Sequence, residues 1–111
     1  MKTIIAGGRK YQLTADDREE LDTVGISEVV SGKCKGADSG GEEWAKDRGI
    51  RVKEFPADWE KYGKSAGPIR NRLMAEYADA VVLFPGGKGT QSMCNEAIRA
   101  GIRVYDWRYG Q

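Results

Sequence analysis

The chain has 111 residues, 40% of them apolar and 32% charged, which suits one globular domain over residues 1–111 rather than a disordered or fibrous chain. Its 18 Lys and Arg against 17 Asp and Glu leave a formal charge of +1, so neither a nucleic-acid polymer nor an anionic membrane is an expected partner. Histidine is absent, which excludes Ser-His-Asp and Cys-His nucleophile systems and His-containing zinc sites. Two cysteines, Cys34 and Cys94, make no disulfide framework, and no apolar run approaches the ~18 residues of a membrane helix. The first residues stop being apolar too early for a secretory signal, so a cytoplasmic location is expected. No metal cluster or cofactor is expected.

In chain order, β-rich runs are predicted at 3–6, 28–31, 51–55, 80–84 and 103–105. Helices are predicted between them at 14–23, 39–48, 69–78 and 91–100. The first opens on Thr14-x-x-Asp17 with acids in its first turns, which suits a helix N-terminus. Gly49 and Gly101 read as helix stops. The run at 80–84 is apolar throughout, as expected of a strand covered on both faces in a parallel sheet. In the last helix Met93, Cys94, Ala97, Ile98 and Gly101 are expected on one buried face. Strand–helix alternation with short connections predicts an α/β fold. Its form is a Rossmann-like, doubly wound, mostly parallel five-stranded sheet with helices on both faces.

Glycine is the compositional outlier at 15 residues, about twice the usual ~7%. Four connecting segments, 7–10, 31–37, 63–72 and 86–90, hold nine of these glycines, eight basic residues and no acidic one. Three of them directly follow a predicted strand, and in a parallel sheet such loops emerge at one edge, where open α/β folds hold ligands. By contrast, 14–28 carries six acids and a single base, Arg18, so the small net charge conceals a segregated surface. Glycine admits close backbone approach, helix N-termini offer unpaired N–H groups, and Lys and Arg add charge. Together these describe a pocket for phosphate or pyrophosphate. Gly86-Gly87-Lys88-Gly89-Thr90 is not a Walker A loop, because Lys88 precedes Gly and the spacing is short. Gly87-x-Gly89-x-x-Ser92 only half matches a dinucleotide fingerprint.

Phe84-Pro85-Gly86-Gly87-Lys88-Gly89-Thr90 resembles the PGGxGT signature of the SLOG superfamily, which includes the Lonely-guy phosphoribohydrolases and the DNA-processing protein Smf/DprA. The stretches 31–38, 55–59 and 66–74 look like its small YspA-type branch (DUF2493). The resemblance spans about 4–104. It implies a Rossmann-like fold whose glycine loops bind nucleotide-derived ligands, in proteins that often form homodimers. Carried over residue by residue, it implies Gly7, Gly8 and Arg9 in a first loop. Gly32, Lys33, Lys35, Gly36, Ala37 and Asp38 fall in a second, and Arg70, Asn71 and Arg72 at a helix entry. Pro85, Gly86, Gly87, Lys88, Gly89 and Thr90 form the signature turn, whose amides are expected to carry most of the phosphate binding. Asp38 is either an N-cap or a partner of a ribose hydroxyl; Arg72 is either a phosphate partner or a surface residue.

Two positions depart from the family pattern. Lys33 stands where the second loop usually has a second glycine, and Met93 stands where hydrolytic relatives have a carboxylate, three residues after the signature threonine. Cleavage of an N-glycosidic bond wants a carboxylate beside the oxocarbenium-like centre. The remaining candidates are Asp38, Glu42, Glu43 and Glu96, of which Glu96, six residues past Thr90, lies about 9 Å along a helix from the turn and is expected to be too far. The sequence therefore reads as a binder without turnover, a sensor or a sponge for a nucleotide signal, with phage anti-defence as one setting. The expected ligand is a nucleoside monophosphate, ADP-ribose or a cyclic ADP-ribose isomer. The alternative is a phosphoribohydrolase or ADP-ribose-type hydrolase using Asp38 or Glu96; a DNA-binding accessory domain is disfavoured by size and charge. Trp59 and Tyr62 flank the 63–72 segment and are candidates to stack on a base. Trp107 and Tyr109 suit docking or dimerisation, and Cys34 between two lysines is either a reactive thiol or a small loop residue.

Overall fold

Five short strands alternate with helices along residues 1–109, the part of the chain that the computed structural model describes. In order they are β1 (Lys2–Ala6), α1 (Ala15–Leu21), β2 (Glu28–Ser31), α2 (Ala37–Asp47), β3 (Arg51–Glu54), α3 (Trp59–Tyr62), a 3-10 turn (Gly63–Ser65), α4 (Ala66–Tyr77), β4 (Ala80–Leu83), α5 (Lys88–Ala100) and β5 (Arg103–Asp106). The strands form one sheet in the order β3-β2-β1-β4-β5, and all four pairings are parallel. β1 lies between β2 and β4, with Ile4 opposite Val30 on one side and Val81 on the other.

Successive strand residues point to opposite faces, and the apolar runs fill two cores. Ile4, Ala6, Val30, Val81 and Leu83 pack with Met74 and Ala75 of α4 and Met93, Cys94 and Ala97 of α5. Ile5, Val29, Val82 and Phe84 pack with Leu21 of α1 and with Ala37, Trp44 and Ala45 of α2. This accounts for the unbroken apolar sequence of β4, all four of whose residues are buried. The predicted cap of α1 is present: Thr14 Oγ1 accepts from the Asp17 amide at 3.0 Å, and the Asp17 carboxylate accepts from the Thr14 amide at 3.0 Å. Gly49 and Gly101 take left-handed φ values of 66° and 73° where α2 and α5 end.

Several predicted boundaries move toward the sheet edge. α2 begins at Ala37 rather than 39, and α5 at Lys88 rather than 91. The segment 63–72, expected as a connection leading into a helix at 69, enters it earlier: α4 already begins at Ala66, after α3 and the 3-10 turn. Pro68 sits in the first turn of α4, where its missing N–H would have had no helical partner anyway. Ile98 is 65% exposed, unlike Met93, Cys94 and Ala97. Its position falls about 90° beyond the centre of the buried stripe of α5. Among the described residues no helix is long and apolar enough to cross a membrane.

Candidate functional site

The chain leaves β1 toward β2 on one side, while β4 lies against β1 on the other, so the strand order reverses between β1 and β4. At such a switch point the following loops diverge and open a crevice at the carboxyl edge. A cavity of about 490 Å³ occupies that position, lined from β1 by Gly7, Gly8 and Arg9, from β2 and α2 by Gly32, Cys34 and Asp38, from α4 by Gly67, Arg70, Asn71 and Met74, and from α5 by Lys88, Gly89, Thr90, Ser92 and Met93. Gly87 and Trp59 complete its rim. Three of the four glycine-rich, basic segments therefore converge on one edge, and the fourth contributes through the first turns of α4.

Four of the seven candidate glycines serve a backbone knot beside the cavity. The Gly8 amide donates to the Pro85 carbonyl at 2.8 Å, while the Gly8 carbonyl accepts from the amides of Tyr11 (3.1 Å) and Ala37 (3.3 Å). A Cβ on Gly36 would fall 2.2 Å from the Gly8 oxygen, and one on Gly86 would fall 2.7 Å from the Gly8 nitrogen and 2.1 Å from Thr90 Oγ1. A Cβ on Gly7 would meet that of Ala37 at 2.7 Å. Gly7, Gly8, Gly36, Ala37, Pro85 and Gly86 thus lock three loops together, and the Gly8 amide is already spent on Pro85. Gly87 and Gly89 differ, because a Cβ on either would meet open space.

α5 starts with no side-chain cap, and the Gln91 amide is the first to bond back, to the Gly87 carbonyl at 3.1 Å. Among the described residues, the amides of Lys88, Gly89 and Thr90 have no partner at the positive end of a 13-residue helix. Across the cavity, Arg70 is held on two sides: Nε donates to Asn71 Oδ1 at 2.9 Å and Nη1 to the Gly32 carbonyl at 2.6 Å. Its Nη2 has no partner among the described residues. Asn71, buried, in turn donates from Nδ2 to Ser92 Oγ at 3.1 Å, so its amide positions Arg70 and is not free at either end. The signal for Ser92 was its place in the half-fingerprint of the signature turn.

Asp38 is the sole carboxylate among the residues lining this cavity. Burial pushes its carboxyl up to about 6, against the opposing pull of the Cys34 amide, the Arg70 guanidinium and the Gly32 amide. A Cβ on Gly32 would lie 2.9 Å from Arg70 Nη1 and 3.1 Å from Asp38 Oδ2, so only glycine lets both side chains close over that point. Met93 is buried and lies at the cavity floor as well as in the core beneath it.

Other candidate residues lie elsewhere. Arg72 is two positions beyond Arg70, about 200° around α4, and pairs with Glu96 at 3.6 Å in a separate groove between α4 and α5. Glu96 also holds Arg99 at 3.2 Å, so neither Arg72 nor Glu96 reaches the cavity. Lys33 and Lys35 line a side pocket of about 340 Å³ that adjoins the main cavity. Lys33 binds Glu42 at 3.0 Å and Glu54 at 2.9 Å, and its backbone takes a φ of 61°, the left-handed region that glycine adopts freely. Trp59 is 53% exposed and borders both cavities, whereas Tyr62 borders neither. Cys34 is half-buried beside Arg70, with Nη1 3.7 Å from its sulfur. Trp107 packs edge-on against Phe84 at 5.7 Å and so belongs to the core, while Tyr109 is 87% exposed.

The family model described as YspA, cpYpsA-related SLOG family matches residues 1–62, which include β1, the second loop and Trp59. The chain belongs to this SLOG family. The SLOG chain is also 38% identical over 89 residues to the Gene 61 protein of Mycobacterium phage D29, an alignment covering 71% of the chain and 70% of that relative. Its fold is shared with DNA processing protein A (DprA) from Streptococcus pneumoniae, with a TM-score of 0.74 at 17% identity over 95% of this chain. The chain spans about half (49%) of that protein's length.

That similarity corrects one expectation. A nucleic-acid polymer was set aside as a partner on the net charge of +1, yet the same SLOG fold occurs in a DNA-processing protein. Net charge is a poor guide here, because the field at a binding rim is set locally, and this rim is mostly basic while six of the seventeen acids cluster along 14–28.

Proposed function

We propose that this SLOG-family protein binds a small phosphorylated nucleotide derivative in the cleft between β1 and β4 and holds it without turnover. One observation carries the proposal: the three unpartnered amides of Lys88, Gly89 and Thr90 open into the same cavity as the pre-positioned guanidinium of Arg70. A helix N-terminus facing an anchored guanidinium suits a phosphoryl group, which takes bonds from both. The open space around Gly87 and Gly89 supports the same reading. Glycine in a helical turn is less stable than alanine by roughly 0.5–1 kcal/mol, and at Gly89, inside the first turn of α5, nothing in the packing demands it. A volume of about 490 Å³ suits a nucleotide-sized ligand.

What surrounds that volume supports holding without turnover. Met93 presents a thioether where hydrolytic relatives carry a carboxylate, and Glu96 is committed to Arg72 and Arg99 outside the cavity. Asp38 alone supplies no acid–base pair of the kind used in glycoside hydrolysis. Such a protein acts as a sensor or as a sponge for a nucleotide signal. The experiment is to incubate it with AMP, ADP-ribose and cyclic ADP-ribose isomers, release bound material by heat, and separate it by chromatography. Intact ligand is expected. Free base or ribose phosphate would instead make it a hydrolase working through Asp38, and recovery of no ligand would remove the cleft's assignment.

A further inference from the structure

The side pocket is lined by four basic residues, Arg9, Lys33, Lys35 and Arg70, and by no acid. Lys33 is neutralised by Glu42 and Glu54. Arg9, Lys35 and Nη2 of Arg70 have no hydrogen-bond or ion-pair partner among the described residues. This pocket is continuous with the main cavity: Arg9, Gly32, Cys34, Trp59 and Arg70 line both. The combined cleft therefore has two anion-attracting regions, the α5 N-terminus, which lines only the main cavity, and Lys35, which lines only the side pocket, with Arg9 reaching both. Arg70 and the half-exposed ring of Trp59 stand where they join.

Converging cations that lack a counter-charge repel one another, and a bound anion relieves this. A single phosphoryl group held at the α5 amides leaves Lys35, which lines the side pocket alone, without a counter-charge. An exposed indole face at the junction offers a platform for a planar base. Resting on the reading of the cleft as a nucleotide site, we propose that its ligand carries two phosphoryl groups separated by a nucleoside. One lies at the α5 N-terminus, the other lies in the side pocket beside Arg9 and Lys35, and the base stacks on Trp59.

The test compares AMP with adenosine 3′,5′-bisphosphate by titration calorimetry on the full chain. The bisphosphate is expected to bind at least tenfold more tightly. In Lys35→Ala, an exposed position where folding is not at stake, that ratio is expected to fall below threefold. Lys46→Ala, at an exposed lysine of α2 outside both cavities, is expected to keep it. A wild-type ratio near one, or an equal fall in both variants, overturns the second subsite while leaving the nucleotide reading intact. Failure of both ligands to bind overturns both. Tighter binding of a twelve-residue oligothymidylate than of the bisphosphate also overturns it, in favour of a strand running through the cleft.

Discussion

Arg70 donates from Nη1 to the Gly32 carbonyl at 2.6 Å, a bond that ties α4 to the loop after β2 across the mouth of the cleft. With Nε also fixed on Asn71, the guanidinium is oriented before any ligand arrives, and only its Nη2 edge remains to be used. Lysine keeps the charge but has no planar fork and cannot make the two anchoring bonds and a ligand bond at once. Arg70→Lys is therefore expected to weaken AMP binding about tenfold, and Arg70→Ala about a hundredfold. These follow from the ~1.5–3 kcal/mol of a charge-assisted bond and 1.4 kcal/mol per decade. Calorimetric titration checks both; a lysine variant equal to wild type would mean that charge alone matters at this position.

Asp38 gives the cleft a pH dependence. In the ligand-free protein its carboxyl, raised by burial from 3.8 to about 6, holds its proton more tightly folded than unfolded. Its contribution to stability is thus full below about pH 4 and is lost as pH rises through 6. Asp38→Asn should accordingly stabilise the protein at pH 8 by on the order of 2–3 kcal/mol and by little at pH 4, read from urea unfolding. For binding the sign is the same: an ionised Asp38 opposes an anionic ligand, so wild-type affinity should fall between pH 5 and 8 more steeply than that of Asp38→Asn. The comparison cancels the ligand's own second phosphate ionisation near pH ~6. A weaker-binding Asn variant at pH 8 would instead assign Asp38 to a ribose hydroxyl.

Period and composition made the sheet legible. The unbroken apolar run of β4 and the alternating helices forced a parallel arrangement, and that arrangement put the glycine-rich turns on one edge without further assumption. The helix expected from 69 begins three residues earlier because Gly67 and Pro68 look like loop chemistry, although a first helical turn tolerates both; Gly63, with a φ of 55°, stays outside α4. Arg72 was left open as a phosphate partner or a surface residue, although it and Arg70 both fell within the expected helix; two positions apart on α4 they point nearly opposite ways. Nor does residue type reveal which glycines meet backbone and which meet space. Gly86 and Gly89 look equivalent in the signature turn, and only the proximity of Gly8 and Thr90 separates them.

Lys33 occupies a left-handed backbone where the family pattern has glycine. That conformation costs a residue with a Cβ roughly 1–2 kcal/mol, and exposed ion pairs such as those to Glu42 and Glu54 return little. Lys33→Gly is expected to raise the urea midpoint, while Lys33→Ala, which keeps the Cβ and loses the ion pairs, should lower it or leave it unchanged. A glycine variant less stable than the alanine variant would show that the left-handed backbone carries no such cost here.

Gly86 and Gly89 should respond oppositely to the same added methyl. At Gly86 a Cβ would collide with Thr90 Oγ1 at 2.1 Å and with the Gly8 backbone nitrogen at 2.7 Å, and neither the knot nor the buried threonine can yield freely. Gly86→Ala is expected to destabilise by about 1–3 kcal/mol, the usual range for overpacking. At Gly89 a Cβ meets nothing within 4 Å, and alanine is the better helix former, so Gly89→Ala should stabilise by roughly half a kcal/mol. The same methyl would stand over the free amides at the start of α5, where the phosphoryl group must approach closely. Affinity for AMP should therefore fall at least tenfold in a protein that is more stable than wild type. Urea unfolding and titration on the two variants give both readings, and an unchanged affinity in Gly89→Ala would move the ligand away from α5.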